Sequence, residues 1–227
     1  MAKGGEIMDG PPLKVKLWGE LACFTRPEMK VERVSYPVMT PSAARGALEA
    51  VFWKPEFEWR IRRIEVLKPI RHFSILRNEV NNKAVISTAK GWEAKGGGYL
   101  ADEDRAQRHT LALRDVAYVI HADVALKAHA TEDVAKYRDQ FRRRVAKGQC
   151  YHAPYLGCRE FAASFGEPSG DESPIDLTDD LGLMLFDLDY IPDGSGRGKP
   201  RFFRARLDKG VLNVPLEMYR KEARDAS

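Results

Sequence analysis

Cationic and aromatic side chains gather in two stretches of this 227-residue chain, residues 13–55 and 136–161. Trp53 and Tyr155 have flat rings that can stack on unpaired bases, and arginine or lysine side chains can pair with phosphate groups. The cations in these stretches are Arg26, Lys30, Arg33, Lys54, Arg142, Arg143, Lys147 and Arg159. The combination predicts a surface that binds a polyanion with exposed bases; the alternative is an ordinary mixed, solvated surface.

Residues that commonly hold metal ions do not cluster along the chain. Of the five histidines, four are scattered outside the two stretches, and the three cysteines form no Cys-x-x-Cys pair. Zinc sites need closely spaced cysteine and histidine ligands, so we predict no metal site, no cofactor and free thiols.

Two helical segments and their flanking strands would position the cations and rings. Residues 13–18 alternate between apolar and polar side chains, which predicts a strand. Thr40 and Pro41 are typical of a helix start, and Pro55 should end that helix. Residues 59–70, rich in isoleucine and valine, predict a second strand.

A second set of strand, helix and strand is predicted in residues 116–165. Residues 116–127 are the clearest predicted strand, Thr131 is a candidate cap for a second helix, and a further strand is expected near residues 160–165. Residues 71–114 fit no single element and predict a long hairpin or a mobile insertion, with a possible strand at 84–88.

The resulting element order is βαββαβ, which indicates an α+β fold with a ferredoxin-like or RRM-like unit. We assign residues 1–168 to this domain, including the insertion at about 71–114. A Gly, Pro and acid-rich linker follows, and residues 169–227 predict a small C-terminal antiparallel β subdomain.

Composition narrows the class of protein only slightly. The net charge of +4 is mildly basic and is not by itself a nucleic-acid signature. The first 12 residues contain no apolar signal-peptide core, and no apolar run reaches the roughly 20 residues that a membrane span needs. We therefore expect a cytoplasmic protein with no membrane partner.

Two longer motifs resemble one known family. The segment LWGELACFTRPEMKVERVSYPVMTPSAARGALEAVFWKP, residues 17–55, closely resembles the N-terminal signature of the RAMP-superfamily protein of type I-C (Dvulg subtype) CRISPR systems, the fifth Cas family. The segment KYRDQFRRRVAKGQCYHAPYLGCREF, residues 136–161, is similar to the central block of that family.

The resemblance implies a metal-independent endoribonuclease that cleaves precursor CRISPR RNA at the base of the repeat hairpin. It also implies that the protein then stays on the 5′ handle of the guide, beside the other subunits of the type I-C surveillance complex. Two alternatives remain open. One is a non-catalytic RNA-binding scaffold that caps the 5′ handle, and the other is an RRM-like RNA binder outside CRISPR biology.

The family's catalytic pattern is a tyrosine near the end of the first helix and a Lys-His pair on the second. These positions fall on Phe52 and on Lys136 and Tyr137, so only the lysine matches. Lysine and tyrosine are mostly protonated at pH 7 and serve better as acids or charge stabilisers than as bases. His152, in the loop sequence QCYHAPY, is an alternative base. The candidate catalytic residues are thus Lys136, Tyr137 and His152.

Overall fold

The computed structural model describes residues 10–29, 31–82, 85–190 and 198–219. Three α-helices lie in these ranges, α1 (Pro41–Val51), α2 (Ile86–Lys95) and α3 (Val134–Ala146). The strands there are β1 (Leu13–Ala22), β2 (Arg33–Val34), β3 (Phe57–Val66), β4 (His72–Val80), β5 (Arg105–Leu126), β6 (Ser164–Gly166), β7 (Asp179–Tyr190), β8 (Gly198–Asp208) and β9 (Val211–Asn213). The predicted α+β class is confirmed.

One sheet joins these strands in the order β6-β1-β5-β3-β9-β8-β7, and all neighbours in that order are antiparallel. The second half of β5 lies at the centre, between β1 and β3. Its first half pairs with β4 on one side, while the short β2 adds a parallel pairing. Because β9 pairs with β3, the C-terminal hairpin β7–β8 continues the same sheet; the division into domains at residue 168 stays a prediction.

Helix α1 begins as the sequence predicts and ends at Val51, four residues before Pro55. The Thr40 hydroxyl accepts a hydrogen bond from the amide of Ala43 at 3.3 Å, and Pro41 occupies the first helical position. Leu48 and Val51 are buried, and the helix ends before Phe52, whose extended backbone leads toward Pro55. The helix therefore presents its apolar face to the sheet and its last carbonyl groups to the neighbouring helix.

The predicted cap of α3 is wrong. Asp133, not Thr131, is the N-cap residue, and its carboxylate accepts a hydrogen bond from the amide of Ala135 at 3.0 Å. Thr131 is outside the helix because the backbone turns helical only after Asp133. Gly148 follows the other end of α3 with a φ of 62°, the left-handed conformation that glycine adopts without a Cβ clash.

The core between the helices and the sheet is aromatic. The Trp59 ring lies 4.7 Å from that of Phe141, and its indole N–H donates to the Phe52 carbonyl oxygen at 2.9 Å. Phe57 packs against both Phe52 and Tyr137, with centroid distances of 5.5 and 5.3 Å. Rings at these distances bury a large apolar area and make favourable aromatic contacts, so this cluster fixes α1 and α3 relative to β3.

Residues 116–124, in the second half of β5, are buried on both faces of the sheet. Val119, His121 and Asp123 point away from the helices and are still buried. The chain crosses this face after β6: Lys16 on β1 pairs with Glu172 at 3.1 Å, and the Ile175 amide donates to the Val66 carbonyl of β3 at 2.9 Å. Part of the sheet face that RRM-like proteins leave open is thus covered by the chain itself.

The insertion at residues 71–114 forms a long hairpin, one of the two alternatives that the sequence predicts. Strand β4 pairs with residues 105–113 of β5, and α2 lies in the connection between them. No residue of α2 is buried. The strand predicted at 84–88 is wrong, because Ile86 begins α2 and residue 84 lies outside the described residues. None of the helices in the described ranges is long and apolar enough to cross a membrane.

Candidate functional site

The C-terminal end of α1 is where helix α3 and the following loop meet. The Arg144 guanidinium on α3 donates to the Val51 carbonyl at 2.8 Å and lies 5.3 Å from the ring of Phe52. The amides of Tyr151 and His152 both donate to the Ala50 carbonyl, at 2.8 and 3.2 Å. These bonds satisfy carbonyl groups that the helix end leaves without partners and hold the loop 149–153 in place.

Exposed rings surround this helix end. The Tyr151 side chain is 84% exposed and that of Trp53 is 51% exposed. The imidazole of His152 is also exposed and meets the Tyr151 ring edge-on at 5.9 Å. Large aromatic rings seldom project into water from a backbone that is this well anchored, so the arrangement indicates a surface that contacts another molecule.

Three cations lie at or just after the ends of α1 and α3. Lys54 follows Trp53, while Arg143 and Lys147 lie on one face of the last turns of α3 and its cap. Within the ranges that the structure describes, none of the three has a carboxylate partner. We call Trp53, Lys54, Arg143, Lys147, Tyr151 and His152 the helix-end patch.

The helix-end patch has the groups that RNA cleavage requires. Ammonium and guanidinium groups attract phosphates, and exposed rings stack on unpaired bases. An imidazole can accept or donate a proton near neutral pH. Among the described residues, no group of three or more His, Cys, Asp or Glu side chains could hold a metal ion.

The catalytic residues that the sequence predicts do not all lie in this patch. Tyr137 is buried, and burial together with the nearby carboxylate of Glu56 raises the pKa of its phenol. Phe52 is buried in the same aromatic cluster. Lys136 is exposed and pairs with Glu132 at 2.6 Å. It shares a face of α3 with Arg143, but lies eight residues, about 12 Å of helix, before Arg144.

Three of the predicted RNA-binding arginines already have carboxylate partners. Arg26 lies 3.7 Å from Glu28 and over the ring of Tyr36, and Arg142 pairs with Asp139 at 2.9 Å. Arg33, the third of these arginines, forms ion pairs with two carboxylates, Glu79 at 3.5 Å and Glu160 at 3.0 Å. Such partners compete with phosphate groups, so we expect these arginines to contribute less to RNA affinity than the cations of the helix-end patch.

The remaining predicted RNA contacts are Arg159, Tyr155 and Lys30. Arg159 is exposed, and Tyr155 is half-buried and forms an antiparallel bridge with Ala162. Lys30 lies outside the described residues.

Two residues of this region were not predicted from the sequence. Tyr151 sits beside His152 in QCYHAPY, and its position in an otherwise basic block is the signal that would have drawn attention to it. Arg144 is the third arginine of the run 142–144, and only the helical phase distinguishes it from its neighbours, because it alone faces α1.

Comparisons with known proteins identify the family of this chain. The Cas5d family model, described as CRISPR-associated protein (Cas_Cas5), matches residues 12–215. A Thermus thermophilus protein named CRISPR pre-crRNA endoribonuclease Cas5d is 49% identical over 224 residues, which cover 92% of this chain and 93% of that protein. A protein of the same name from Mannheimia succiniciproducens is 46% identical over 219 residues, covering 89% of this chain and 94% of the relative.

Solved structures share the fold at lower identity. A CRISPR-associated protein superposes with a TM-score of 0.63 at 20% identity, over 92% of this chain and 97% of that one. A chain of a CRISPR RNA-guided surveillance complex has a TM-score of 0.54 at 14% identity, over 94% and 95% of the two chains. The family match removes the alternative of an RRM-like binder outside CRISPR biology: this chain belongs to the Cas5d family of CRISPR-associated proteins.

Proposed function

We propose that this chain is a metal-independent endoribonuclease that cleaves precursor CRISPR RNA at the base of the repeat hairpin. It then stays on the 5′ handle of the guide with the other subunits of the type I-C surveillance complex. The observation that carries the proposal is the helix-end patch, where an exposed imidazole and an exposed phenol lie in the loop anchored to the end of α1, and where three cations have no carboxylate partner among the described residues. The names of the two relatives support the same substrate.

The fold of the RNA-binding part is proposed to be a ferredoxin-like βαββαβ unit. It consists of β1, α1, β3, the second half of β5, α3 and β6. The strand order β6-β1-β5-β3 supports this assignment, because each neighbour is antiparallel and each helix connects strands that are not adjacent. This unit brings the ends of α1 and α3 together and thereby forms the helix-end patch.

In the proposed reaction the 2′-hydroxyl of the RNA attacks the adjacent phosphorus. The new bond joins the 2′-oxygen to phosphorus, the bond from phosphorus to the 5′-oxygen breaks, and the products are a 2′,3′-cyclic phosphate and a 5′-hydroxyl. His152 takes the proton of the attacking hydroxyl or returns one to the leaving oxygen. Lys54, Arg143 and Lys147 stabilise the negative charge that develops on the phosphate.

Lys136 and Tyr137, the positions that the family resemblance implies, have different places in this proposal. The exposed Lys136 can contact a phosphate that flanks the scissile one, about two turns of α3 away from Arg144. The catalytic role predicted for Tyr137 stays a prediction, and the burial of its ring favours a packing role.

A cleavage assay with excess EDTA tests the proposed function. Purified protein at stoichiometric concentration should cut repeat RNA at one position and leave a 2′,3′-cyclic phosphate. A repeat in which the nucleotide before the cut carries a 2′-deoxyribose should bind equally well and remain uncut. Repeat RNA that stays intact at stoichiometric protein would contradict the enzymatic part of the proposal.

The second candidate function is a scaffold that binds the 5′ handle without cutting. It is favoured by the burial of Phe52 and Tyr137 at the two positions where the family pattern has its tyrosine and histidine. Tight binding of the handle with no cleavage under any of these conditions would support it.

Salt dependence shows whether the helix-end patch contacts phosphates in either function. Replacing Lys54, Arg143 and Lys147 with alanine should flatten the plot of log affinity against log salt concentration by about 0.7 per contact, or about 2 in total. Arg142→Ala is the matched control, because Arg142 lies on the same helix but pairs with Asp139. A slope that stays unchanged in the triple variant would place the RNA elsewhere.

A further inference from the structure

Cys23 and Cys158 are 135 residues apart in sequence and lie together where β1 ends. The Cys23 amide donates to the Leu156 carbonyl at 3.0 Å, and the Cys158 sulfur is 3.6 Å from the Cys23 carbonyl oxygen. Both sulfurs contact the same hydroxyl group, that of Thr25. Gly157 permits this approach, because a side chain there would collide with the Cys23 backbone.

The surroundings make the two thiols unequal. The Arg33 guanidinium lies 3.6 Å from the Cys158 sulfur, and Thr25 Oγ1 lies 3.5 Å from the Cys23 sulfur and 4.0 Å from that of Cys158. The hydrogen bond from Cys23 and the positive charge of Arg33 lower the pKa of Cys158 to about 6, against the effects of burial and of Glu160. The hydrogen bond to Cys158 and burial raise the pKa of Cys23.

The two cysteines also differ in their exposure to solvent. Cys158 is half-buried, whereas Cys23 is fully buried, so a small reagent should react first with Cys158. A thiolate is the form of cysteine that reacts with peroxides, and a second thiol in contact is what converts the product to a disulfide.

We propose that Cys158 and Cys23 form a thiol site that hydroperoxides convert to an intramolecular disulfide. The Cys158 thiolate attacks one peroxide oxygen, forming an S–O bond and breaking the O–O bond, and the released hydroxide or alkoxide takes up a proton. Cys23 then attacks the Cys158 sulfur, and the S–O bond breaks to release water with the proton of Cys23. The two sulfurs together lose two electrons, and the peroxide gains them.

The oxidation of Cys158 makes Cys23 easier to deprotonate and so favours its attack. Once Cys158 carries oxygen, its negative charge is gone, and with it the interaction that chiefly holds the proton on Cys23. Thr25 and Arg33, which both lower the pKa of Cys23, remain in place. The resulting cross-link would tie the segment that follows His152 to the end of β1, independently of whether the chain cleaves RNA.

The test uses the full chain with Cys150→Ser, because Cys150 is an exposed thiol outside the site. After treatment with hydrogen peroxide, mass spectrometry should find one cross-linked peptide pair, containing Cys23 and Cys158 and lighter by two hydrogen atoms. Dithiothreitol should reverse it. In the natural chain, Cys158 should be oxidised about tenfold faster than Cys150, because the pKa of Cys158 is lowered.

Two variants control the result. In Cys23→Ala, Cys158 should stop at the sulfenic acid, which dimedone traps, and in Cys158→Ser no disulfide should form. The measurement on the chain with both thiols does not depend on how well these variants fold. Oxidation of Cys158 no faster than that of Cys150, conversion to sulfinic acid without a disulfide, or cross-links only between chains would each overturn the proposal.

Discussion

Replacing His152 with glutamine should lower the rate of repeat-RNA cleavage by about 10² to 10⁴, with RNA affinity changed by no more than about twofold. Glutamine keeps a polar side chain of similar length but cannot exchange a proton near pH 7. The loop should stay in place, because it is the backbone amide of His152 that bonds to Ala50. Single-turnover cleavage and filter binding on the same RNA would separate the two effects.

Three further variants test whether the lower cleavage rate of His152→Gln reflects a direct role of His152 in proton transfer. His109→Gln changes an exposed histidine on the distant hairpin and should cut at the original rate. Tyr151→Phe removes the phenol but keeps the ring, so a loss of cleavage without a loss of binding would add the phenol to the proton transfers. If Lys136→Ala lost more rate than His152→Gln, the reaction centre would lie at the N-terminal half of α3, as the family resemblance implies.

The Gly157→Ala variant should lose about 3 kcal/mol of stability, the largest effect that we expect from a single methyl group. Gly157 has a φ of +85°, and an added Cβ would lie 2.1 Å from the Cys23 carbonyl oxygen. That atom belongs to the backbone at the end of β1, so neither segment can yield by changing a rotamer. Thermal unfolding should shift down by about 6 to 12 °C for a chain of this size.

Gly148→Ala is the matched control for that variant. Gly148 also has a positive φ, +62°, but an added Cβ would meet no atom within 4 Å. It therefore tests backbone strain without the steric clash, and should lose about 1 kcal/mol. Equal shifts in the two melting temperatures would show that strain alone limits Gly157 and that the contact with Cys23 is unimportant.

The two family positions occupied by Phe52 and Tyr137 are explained by packing. Both rings contact Phe57, in a cluster that also contains Trp59. Phenylalanine at position 52 leaves no hydroxyl to satisfy in this apolar space. The ring of Phe52 instead lies against Arg144, which donates to the Val51 carbonyl at the end of α1. In our proposal these residues hold the helix-end patch in place, and the proton chemistry lies in the loop after α3.

Local sequence patterns determined the elements that depend on nearby residues. Thr40 and Pro41 mark the start of α1 because the cap and the first turn involve only residues a few positions apart. The alternation in residues 13–18 and the valine-rich run at 116–127 identified the two central strands for the same reason. The motifs in residues 17–55 and 136–161 also identified the family, which the family match confirmed.

Contacts between segments that are distant in sequence were decided only by the tertiary structure. Residues 116–124 of β5 are buried on both faces because a segment returns over the sheet after β6, and the pattern of the strand does not identify that segment. Likewise, Tyr151 and Arg144 reach the end of α1 through contacts with Ala50 and Val51, roughly 100 residues earlier. Periodicity reports which face of an element is apolar. It does not report which distant segment covers that face, because that choice is made by packing of the whole chain.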